Sequence, residues 1–355
     1  MTNKSFGSDN ITPAAPEIIA AIAAANTGSL HSYGDDPYTA RLTDLARDVF
    51  ETDLTIYPVT TGTAANALAL ATLTPPYGAV YCHETAHIAT DECGAPEFYT
   101  AGAKIVGLPG ADGKIRPAQL DVPLRRAANM GVHHVRPAAL SLTQATEWGT
   151  VYTPSEIRAL SDAAHANGLG VHMDGSRLAN AIAHLGCTPA ETTWKAGIDV
   201  LSLGATKNGA IAAEAVLFFD PARAESFESR RKRAGHLWSK MRFLSAQLIA
   251  YLEHGLWLRN AAHANAMATR LADRLATLPG VHLVQPVQAN EVFVALPDAT
   301  IDALLQDGFE FYRWPAPAGA TGPLIRLVTS FCTDPADVDA LLAAAKRAVN
   351  APNPP

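Results

Sequence analysis

Apolar positions along the chain recur with two periods, and the two periods take turns. In residues 41–50, Leu42, Leu45, Ala46 and Val49 share one face at helical spacing. Short apolar runs bounded by Gly, Pro or polar residues read as buried strands at 54–58, 79–82, 104–108, 138–142, 170–173, 200–203 and 215–219. Helical patterns lie among them, at alanine-rich 64–73 and at 154–167, which Gly168 closes as a C-cap. Residues 14–25 are compatible with a further helix ahead of the turn Tyr33-Gly34-Asp35-Asp36-Pro37. Strands alternating with helices predict an α/β fold around a mostly parallel sheet.

The pattern changes after about residue 220. Residues 223–278 are helical, interrupted only by Gly235 and Gly255. Strands follow at 281–284 and 291–296, a helix at 301–306, strands at 309–313 and 323–329, and a helix at 336–349. This predicts a small α+β domain packed on the large one. The expected division is an N-terminal arm over 1–25, a large domain over 26–245, a small C-terminal domain over 246–350 and a tail over 351–355.

Composition narrows the class. A chain of 355 residues with 48% hydrophobic content is long enough to bury a sizeable core. Its 27 basic and 34 acidic residues give a net charge of −7, which argues against nucleic-acid binding. Cys82, Cys93, Cys187 and Cys332 stand far apart without a Cys-x-x-Cys, the usage of reduced thiols. Residues 1–10 are polar and lack the apolar core of a signal peptide, and every later apolar stretch is broken by Gly, Pro or charge. The expectation is a soluble cytoplasmic protein that spans no membrane.

The candidate chemistry sits where strands end. His172-Met173-Asp174-Gly175-Ser176-Arg177 closes one apolar strand with an aspartate, and Ser202-Leu203-Gly204-Ala205-Thr206-Lys207 follows the next with a lysine. Neighbouring parallel strands would bring Asp174 and Lys207 to one sheet edge, where ligands of open α/β sheets bind. A carboxylate and a lysine facing one pocket suit pyridoxal 5′-phosphate (PLP). The lysine forms the Schiff base and the aspartate keeps the pyridine nitrogen protonated. Thr61-Gly62-Thr63, between a strand and a helix, either holds a phosphate at the helix N-terminus or is a plain capped helix. Arg177 is either a ligand contact, to a phenolic oxygen or a carboxylate, or a surface arginine. Arg326, inside Leu324-Ile325-Arg326-Leu327-Val328, either pairs with a substrate carboxylate or points outward. His83-Glu84-Thr85-Ala86-His87 matches the H-E-x-x-H zinc pattern, but it directly follows a strand and Cys93-Gly94 soon interrupts. The preferred reading is that the His87 ring lies on the face of a planar cofactor.

These residues carry a family resemblance. Phe6-Gly7-Ser8-Asp9-Asn10, Tyr33-Gly34-Asp35-Asp36-Pro37, Thr61-Gly62-Thr63-Ala64-Ala65-Asn66, Ala86-His87, His172-Met173-Asp174-Gly175-Ser176-Arg177, Lys207 and Arg326-Leu327-Val328-Thr329 occur in this order over almost the whole chain. The chain resembles the low-specificity L-threonine aldolases of PLP fold type I, phenylserine aldolase-like members included. The resemblance implies a large PLP-binding domain and cleavage of β-hydroxy-α-amino acids to glycine and an aldehyde. It implies Lys207 as the Schiff-base residue, Asp174 on the pyridine nitrogen and Gly62 and Thr63 on the phosphate. It implies His87 stacked on the ring and assisting proton transfer, and Ser8, Arg177 and Arg326 around the substrate carboxylate. Tyr33 is implied to reach a neighbouring subunit's site within a homotetramer, a dimer of dimers.

Two segments depart from the family pattern. The lysine lies in Thr206-Lys207-Asn208-Gly209, where the family commonly has Ser-Lys-Gly-Leu-Gly. The family's Glu-Asn-Thr-His-x-Gly loop appears as Thr143-Gln144-Ala145-Thr146-Glu147-Trp148-Gly149, without the histidine. The base acting on the β-hydroxyl and the diastereomer preference stay open. The rivals are another PLP fold type I reaction, β-elimination or transamination, a zinc hydrolase built on His83 and His87, and a non-catalytic PLP-binding protein.

Overall fold

The structure, a computed structural model, describes residues 4–315 and 322–350. The tail expected over 351–355 lies outside the described residues. In chain order the elements begin α1 (Pro16–Ala25), α2 (Pro37–Phe50), β1 (Thr55–Val59), α3 (Gly62–Leu73), β2 (Gly78–His83), α4 (His87–Thr90), α5 (Ala95–Tyr99) and β3 (Lys104–Leu108). Then come α6 (Pro117–Met130), β4 (Arg136–Thr143), α7 (Pro154–Ala166), β5 (Gly170–Gly175), α8 (Leu178–Leu185), β6 (Val200–Gly204) and β7 (Glu214–Phe218). The remainder is α9 (Phe227–Arg233), α10 (Arg242–Leu252), α11 (Leu256–Leu275), β8 (His282–Leu283), β9 (Glu291–Ala295), α12 (Asp298–Gln306), β10 (Tyr312–Trp314), β11 (Leu324–Val328) and α13 (Pro335–Val349).

Local chemistry sets several boundaries. Asp36 caps α2 by accepting from the Tyr38 and Thr39 N–H groups, with Pro37 opening the helix. Thr153 and Glu156 form a reciprocal capping box at α7. Gly186 in the left-handed region ends α8.

Seven strands form one sheet in the order β1-β7-β6-β5-β4-β2-β3. Pairings from β3 through β6 are parallel, and β7 runs against both β6 and β1. This is the α/β architecture the alternating pattern predicts. Thr143, Asp174 and Ser202 are in register across β4, β5 and β6, so the carboxyl ends of these strands share one edge. A second, four-stranded sheet has the order β10-β11-β9-β8.

The apolar core follows this division. Leu42, Phe50, Leu140, Val171, Leu201, Tyr251 and Trp257 belong to the core of the large sheet. Phe6, Leu271, Leu275, Val292, Val294, Ile325 and Leu341 form the core of the small one. Helix α11 spans both, giving Leu256, Trp257 and Ala261 to the first core and Ala268, Leu271, Ala272 and Leu275 to the second. The expected boundary at 245/246 falls inside α10, whose Leu248, Ile249, Tyr251 and Leu252 pack in the first core.

Some local expectations differ from the structure. The helical run over 223–278 is three helices, broken at 234–241 and 253–255, with Gly235 and Gly255 at positive φ in the breaks. Lys240, expected on a helix, lies in the turn before α10. Helices α6 and α8 were not expected. Pro123 stands inside α6, where a proline removes one backbone donor and argues against a helix. No helix among the described residues is long and apolar enough to cross a membrane.

Candidate active site

The carboxyl edge of the large sheet gathers Asp174 and Lys207. Asp174 is buried near the end of β5. Its Oδ1 accepts from the Ser176 N–H at 3.0 Å and the Ser176 hydroxyl at 2.7 Å, and its Oδ2 accepts from Asn66 Nδ2 at 2.8 Å. Burial pushes this carboxyl up, but the Lys207 charge, the Ser176 hydrogen bonds and His87 outweigh it and hold it below the usual range. Lys207 lies in a 3₁₀ turn, Thr206–Asn208, just past β6. That turn is fixed from both sides. Asn208 Nδ2 donates to Tyr251 Oη (3.0 Å) and the Trp257 carbonyl (2.8 Å), and Glu214 Oε2 accepts from the Ala205 N–H at 2.8 Å. At Gly204 an added Cβ would stand 2.6 Å from the Ser176 backbone. Only glycine allows β6 to approach the turn after β5 so closely, and this approach sets Lys207 beside Ser176.

Lys207 and Ser176 line a cavity of about 370 Å³ together with Thr61, Gly62, Thr63 and His87. Lys207 forms no hydrogen bond or ion pair with a described residue. A larger hollow of about 660 Å³ opens at the opposite sheet edge, beside Tyr77 and Arg136. It has no lysine–carboxylate pair, so the smaller cavity is where chemistry can occur.

The donor set fits PLP. Helix α3 starts at Gly62 and is capped by Thr61, whose Oγ1 accepts from the Ala64 N–H at 3.1 Å. A Cβ on Gly62 would meet only Ser176 Oγ, at 3.9 Å. Packing does not demand glycine there, and its absence of a side chain leaves the helix N-terminus open to an anion. Asp174 and the unpaired Lys207 amine complete the requirements for a pyridine nitrogen and a Schiff base.

His87 opens α4 at the mouth of the cavity. Its Nδ1 pairs with Glu92 Oε1 at 3.0 Å, and its backbone N–H donates to Glu147 Oε1 at 2.8 Å. Asn66 Nδ2 also donates to Glu92 Oε1, at 2.8 Å, so Asp174, Asn66, Glu92 and His87 form one chain of contacts. Donating a hydrogen bond to Glu92 raises the His87 pKa, while burial raises that of Glu92. Glu147 also accepts from Thr143 Oγ1 at 2.8 Å, and burial pushes its carboxyl up to about 7.

His83 turns away from this arrangement. It ends β2, is buried, and spends Nδ1 on Thr85 Oγ1 (2.8 Å) and Nε2 on the Gly110 carbonyl (3.0 Å). The H-E-x-x-H pattern thus spans a strand end and a helix start instead of one helix face. Among the described residues no three His, Cys, Asp or Glu side chains cluster as metal ligands.

The arginines form a second cluster where the two sheets meet. Arg177 precedes α8 and grips Asp9 with two hydrogen bonds, at 2.8 and 3.0 Å. Its Nη1 lies 3.2 Å from Glu291 Oε2. Burial alone would lower the Arg177 pKa, but Asp9 and Glu291 outweigh it and raise it. Arg326 is mostly buried on β11. Its guanidinium lies over the Trp314 and Tyr312 rings, donates to the Gly7 carbonyl at 3.2 Å, and has Nη1 3.6 Å from Glu291 Oε1. Arg326 thus faces inward. Ser8 spends its hydroxyl oxygen on the Asn10 N–H (3.1 Å) at the turn that presents Asp9. Tyr33 does not line the cavity of its own chain. Its ring is half exposed, with Lys232 Nζ 4.4 Å above it.

Sequence reasoning missed the carboxylates. Asp9 and Asn66 stand within motifs quoted for the resemblance but were given no role, and Glu92, Glu147, Glu214 and Glu291 were not singled out. One signal was present: Glu291 opens the apolar run Glu291-Val292-Phe293-Val294, just as Arg326 interrupts another.

Known proteins share both fold and sequence with this chain. The beta-eliminating lyase family model matches residues 5–299. A low specificity L-threonine aldolase of a Pseudomonas species is 48% identical over 346 residues, covering 97% of this chain and 98% of its own length. That of Pseudomonas aeruginosa is 48% identical over 330 residues, 93% of each chain. The solved threonine aldolase of Leishmania major superposes with a TM-score of 0.91 at 29% identity, covering 98% of this chain and 100% of that one. With the α/β architecture of PLP fold type I, this chain belongs to the beta-eliminating lyase family, among its low-specificity L-threonine aldolases.

Proposed function

We propose that the protein cleaves the Cα–Cβ bond of L-threonine, L-allo-threonine and related β-hydroxy-α-amino acids, phenylserine among them, to glycine and an aldehyde, with PLP as cofactor. The observation that carries this is Lys207 lining the cavity with its charge acting on the buried Asp174 behind it, in a chain 48% identical to low specificity L-threonine aldolases. PLP would be held by Lys207, Asp174, Gly62, Thr63, His87 and Arg177. Bound there, it supplies an electron sink for the pair left at Cα when the bond to Cβ breaks.

The protein's own groups handle position and protons. Asp174, held ionised, would keep a proton on the ring nitrogen of a bound cofactor. Arg177 and Arg326, with Ser8, orient the substrate carboxylate, and this fixes which bond at Cα stands ready to break. Among the described residues His87 Nε2 has no hydrogen-bond partner while Nδ1 is tied to Glu92, so Nε2 is the atom poised to take the β-hydroxyl proton.

The site is completed by further copies of the chain. Ile11 and Ile211 are 60% and 52% exposed and flank the cavity residues Asn10 and Ala212. Large apolar side chains beside a cavity suit burial against a second subunit, with Tyr33 reaching its neighbour and a homotetramer as the assembly. The protein works in the cytoplasm.

A visible spectrum taken before and after adding L-threonine, with acetaldehyde assayed in the same cuvette, tests the reading. A yellow protein whose band changes as acetaldehyde appears supports it, and Lys207→Ala is expected to lose turnover. Pyruvate and ammonia from serine in place of aldehyde would move the reaction to β-elimination. A protein that stays colourless with PLP supplied overturns the cofactor.

A further inference from the structure

Glu291 has no part in the reaction derived above, yet it sits at the centre of the arginine cluster. Its side chain has no exposure to solvent. Each carboxylate oxygen faces a different arginine, Oε2 toward Arg177 at 3.2 Å and Oε1 toward Arg326 at 3.6 Å. Neither oxygen completes a hydrogen bond. The position follows from register. Glu291 pairs with Val328 and Arg326 with Phe293, so Glu291 and Arg326 are diagonal neighbours on one face of the small sheet. The loop that departs from the family pattern closes over it. Gly149, at φ +69°, packs so tightly that an added Cβ would stand 3.1 Å from Glu291 Cβ.

Charge counting gives this residue a role. Asp9 and Glu291 already balance Arg177 and Arg326, so a substrate carboxylate would be the third carboxylate on two guanidiniums. One of the three must then become neutral, because an unbalanced charge in so dry a site is costly. Asp9 is the poor choice: Arg177 grips it at two atoms and Asn290 Nδ2 donates to it at 3.0 Å. Glu291 has no such bonds to lose. Burial raises its pKa against the pull of Arg177 and Arg326, with Asp9 adding to the rise and Lys207 opposing it. Glu147 is the next carboxylate in the field of Arg177.

We propose that Glu291 is an internal stand-in for the substrate carboxylate: it bridges Arg177 and Arg326 in the free site, and takes up a proton from solvent when the substrate carboxylate engages them. The inference rests on the reading of these two arginines as the carboxylate site. Glu291 is a positioning residue, acting through the arginines. It makes affinity for the substrate fall as pH rises, since binding must then bring a scarcer proton.

The test uses holoenzyme and 3-hydroxybutyrate, which keeps the carboxylate and β-hydroxyl of threonine but lacks the amine. Its inhibition constant is expected to rise with pH on the alkaline side, approaching about tenfold per pH unit for one proton taken up. Calorimetry in buffers of different ionisation enthalpy should register that proton. Glu291→Gln should bind at least about tenfold more tightly at pH 9 and lose most of the pH dependence, a gain that loss of a merely structural residue would not give. A pH-independent inhibition constant in the parent enzyme, or weaker binding by Glu291→Gln at every pH, overturns the proposal. Should that variant not fold, calorimetry on His87→Asn holoenzyme reads the same proton without the cavity histidine, and its disappearance there overturns the proposal. If Arg326→Ala binds 3-hydroxybutyrate as well as the parent does, the carboxylate site itself is wrong and the Glu291 role falls with it.

Discussion

The two halves of the site handle charge in opposite ways. Around Lys207 and Asp174 the sheet edge leaves groups unfinished: the lysine has no hydrogen-bond or ion-pair partner among the described residues, the α3 N-terminus is open, and Asp174 is held ionised. Around Arg177 and Arg326 the cations are already matched by Asp9 and Glu291. The first half is built to receive a group that brings its own charges. The second is a finished ionic cluster that also joins the N-terminal segment to both sheets. Removing a carboxylate should therefore cost chemistry in the first half and folding in the second.

Asp9→Ala is the strongest test of that contrast. It strips Arg177 of its bidentate partner inside a dry cluster, and breaking such a buried pair costs about 3–5 kcal/mol. Urea unfolding should show that loss. An unchanged midpoint would mean that the cluster has no structural role. Asp174→Ala should do the reverse. It removes the anion proposed to keep the cofactor nitrogen protonated, so kcat should fall on the order of 10²–10³-fold, while the urea midpoint moves less than in Asp9→Ala. Equal destabilisation by the two variants would erase the distinction.

His172 sharpens the picture within the first half. It lies fully buried two residues before Asp174 on β5, with Nδ1 on Ser141 Oγ and Nε2 on Ser202 Oγ, both at 2.9 Å. Burial lowers its pKa to about 4, against a small opposing pull from Asp174. The folded value lies below the unfolded one of about 6.5. Its contribution to stability is therefore complete above pH 6.5 and is lost as pH falls toward 4, roughly 3 kcal/mol in all. Glu147 and Glu214, both raised to about 7, work with the opposite sign, because their folded forms bind protons more tightly than the unfolded chain. The parent protein shows the sum. His172→Gln, measured against the parent by urea unfolding at pH 7 and pH 4.5, isolates the histidine: its relative stability should improve at the lower pH.

What the sequence made legible follows the same contrast. Asp174 closes one apolar run and Lys207 follows the next, so the short buried-strand runs and the rule that ligands bind at carboxyl ends are enough to pair them. The arginine cluster joins residue 9 to residues 177, 291 and 326, and depends on how the small sheet docks. No local pattern encodes that docking. Arg326 was therefore left between facing in and facing out, and Glu291, its diagonal neighbour, was overlooked. The helical run over 223–278 was readable as helix, and its two glycines marked the breaks. Their direction was not readable, since it is set by which core each helix enters. Glu92 was hidden for another reason: a glutamate on a short polar stretch carries no signal until Asn66 from α3 is seen beside it.

Glu92→Gln probes the smallest effect and the finest link in the chain from Asp174 to His87. Glutamine keeps the size and can still accept one hydrogen bond, so the His87 ring should stay where it is. What changes is charge. The carboxylate raises the His87 pKa through the 3.0 Å contact at Nδ1, and its removal lets that pKa fall. If His87 takes a proton from the β-hydroxyl, its deprotonated form is the active one, and the acidic limb of the kcat/KM profile should move to lower pH. A weaker base is also a poorer one, so kcat on the plateau should fall by less than about tenfold. A limb that stays in place would assign it to another group. Glu147 would be the next choice, because it holds the His87 backbone and burial pushes its carboxyl up to about 7. A limb moving the opposite way would mean that His87 acts protonated, as an acid toward the departing aldehyde.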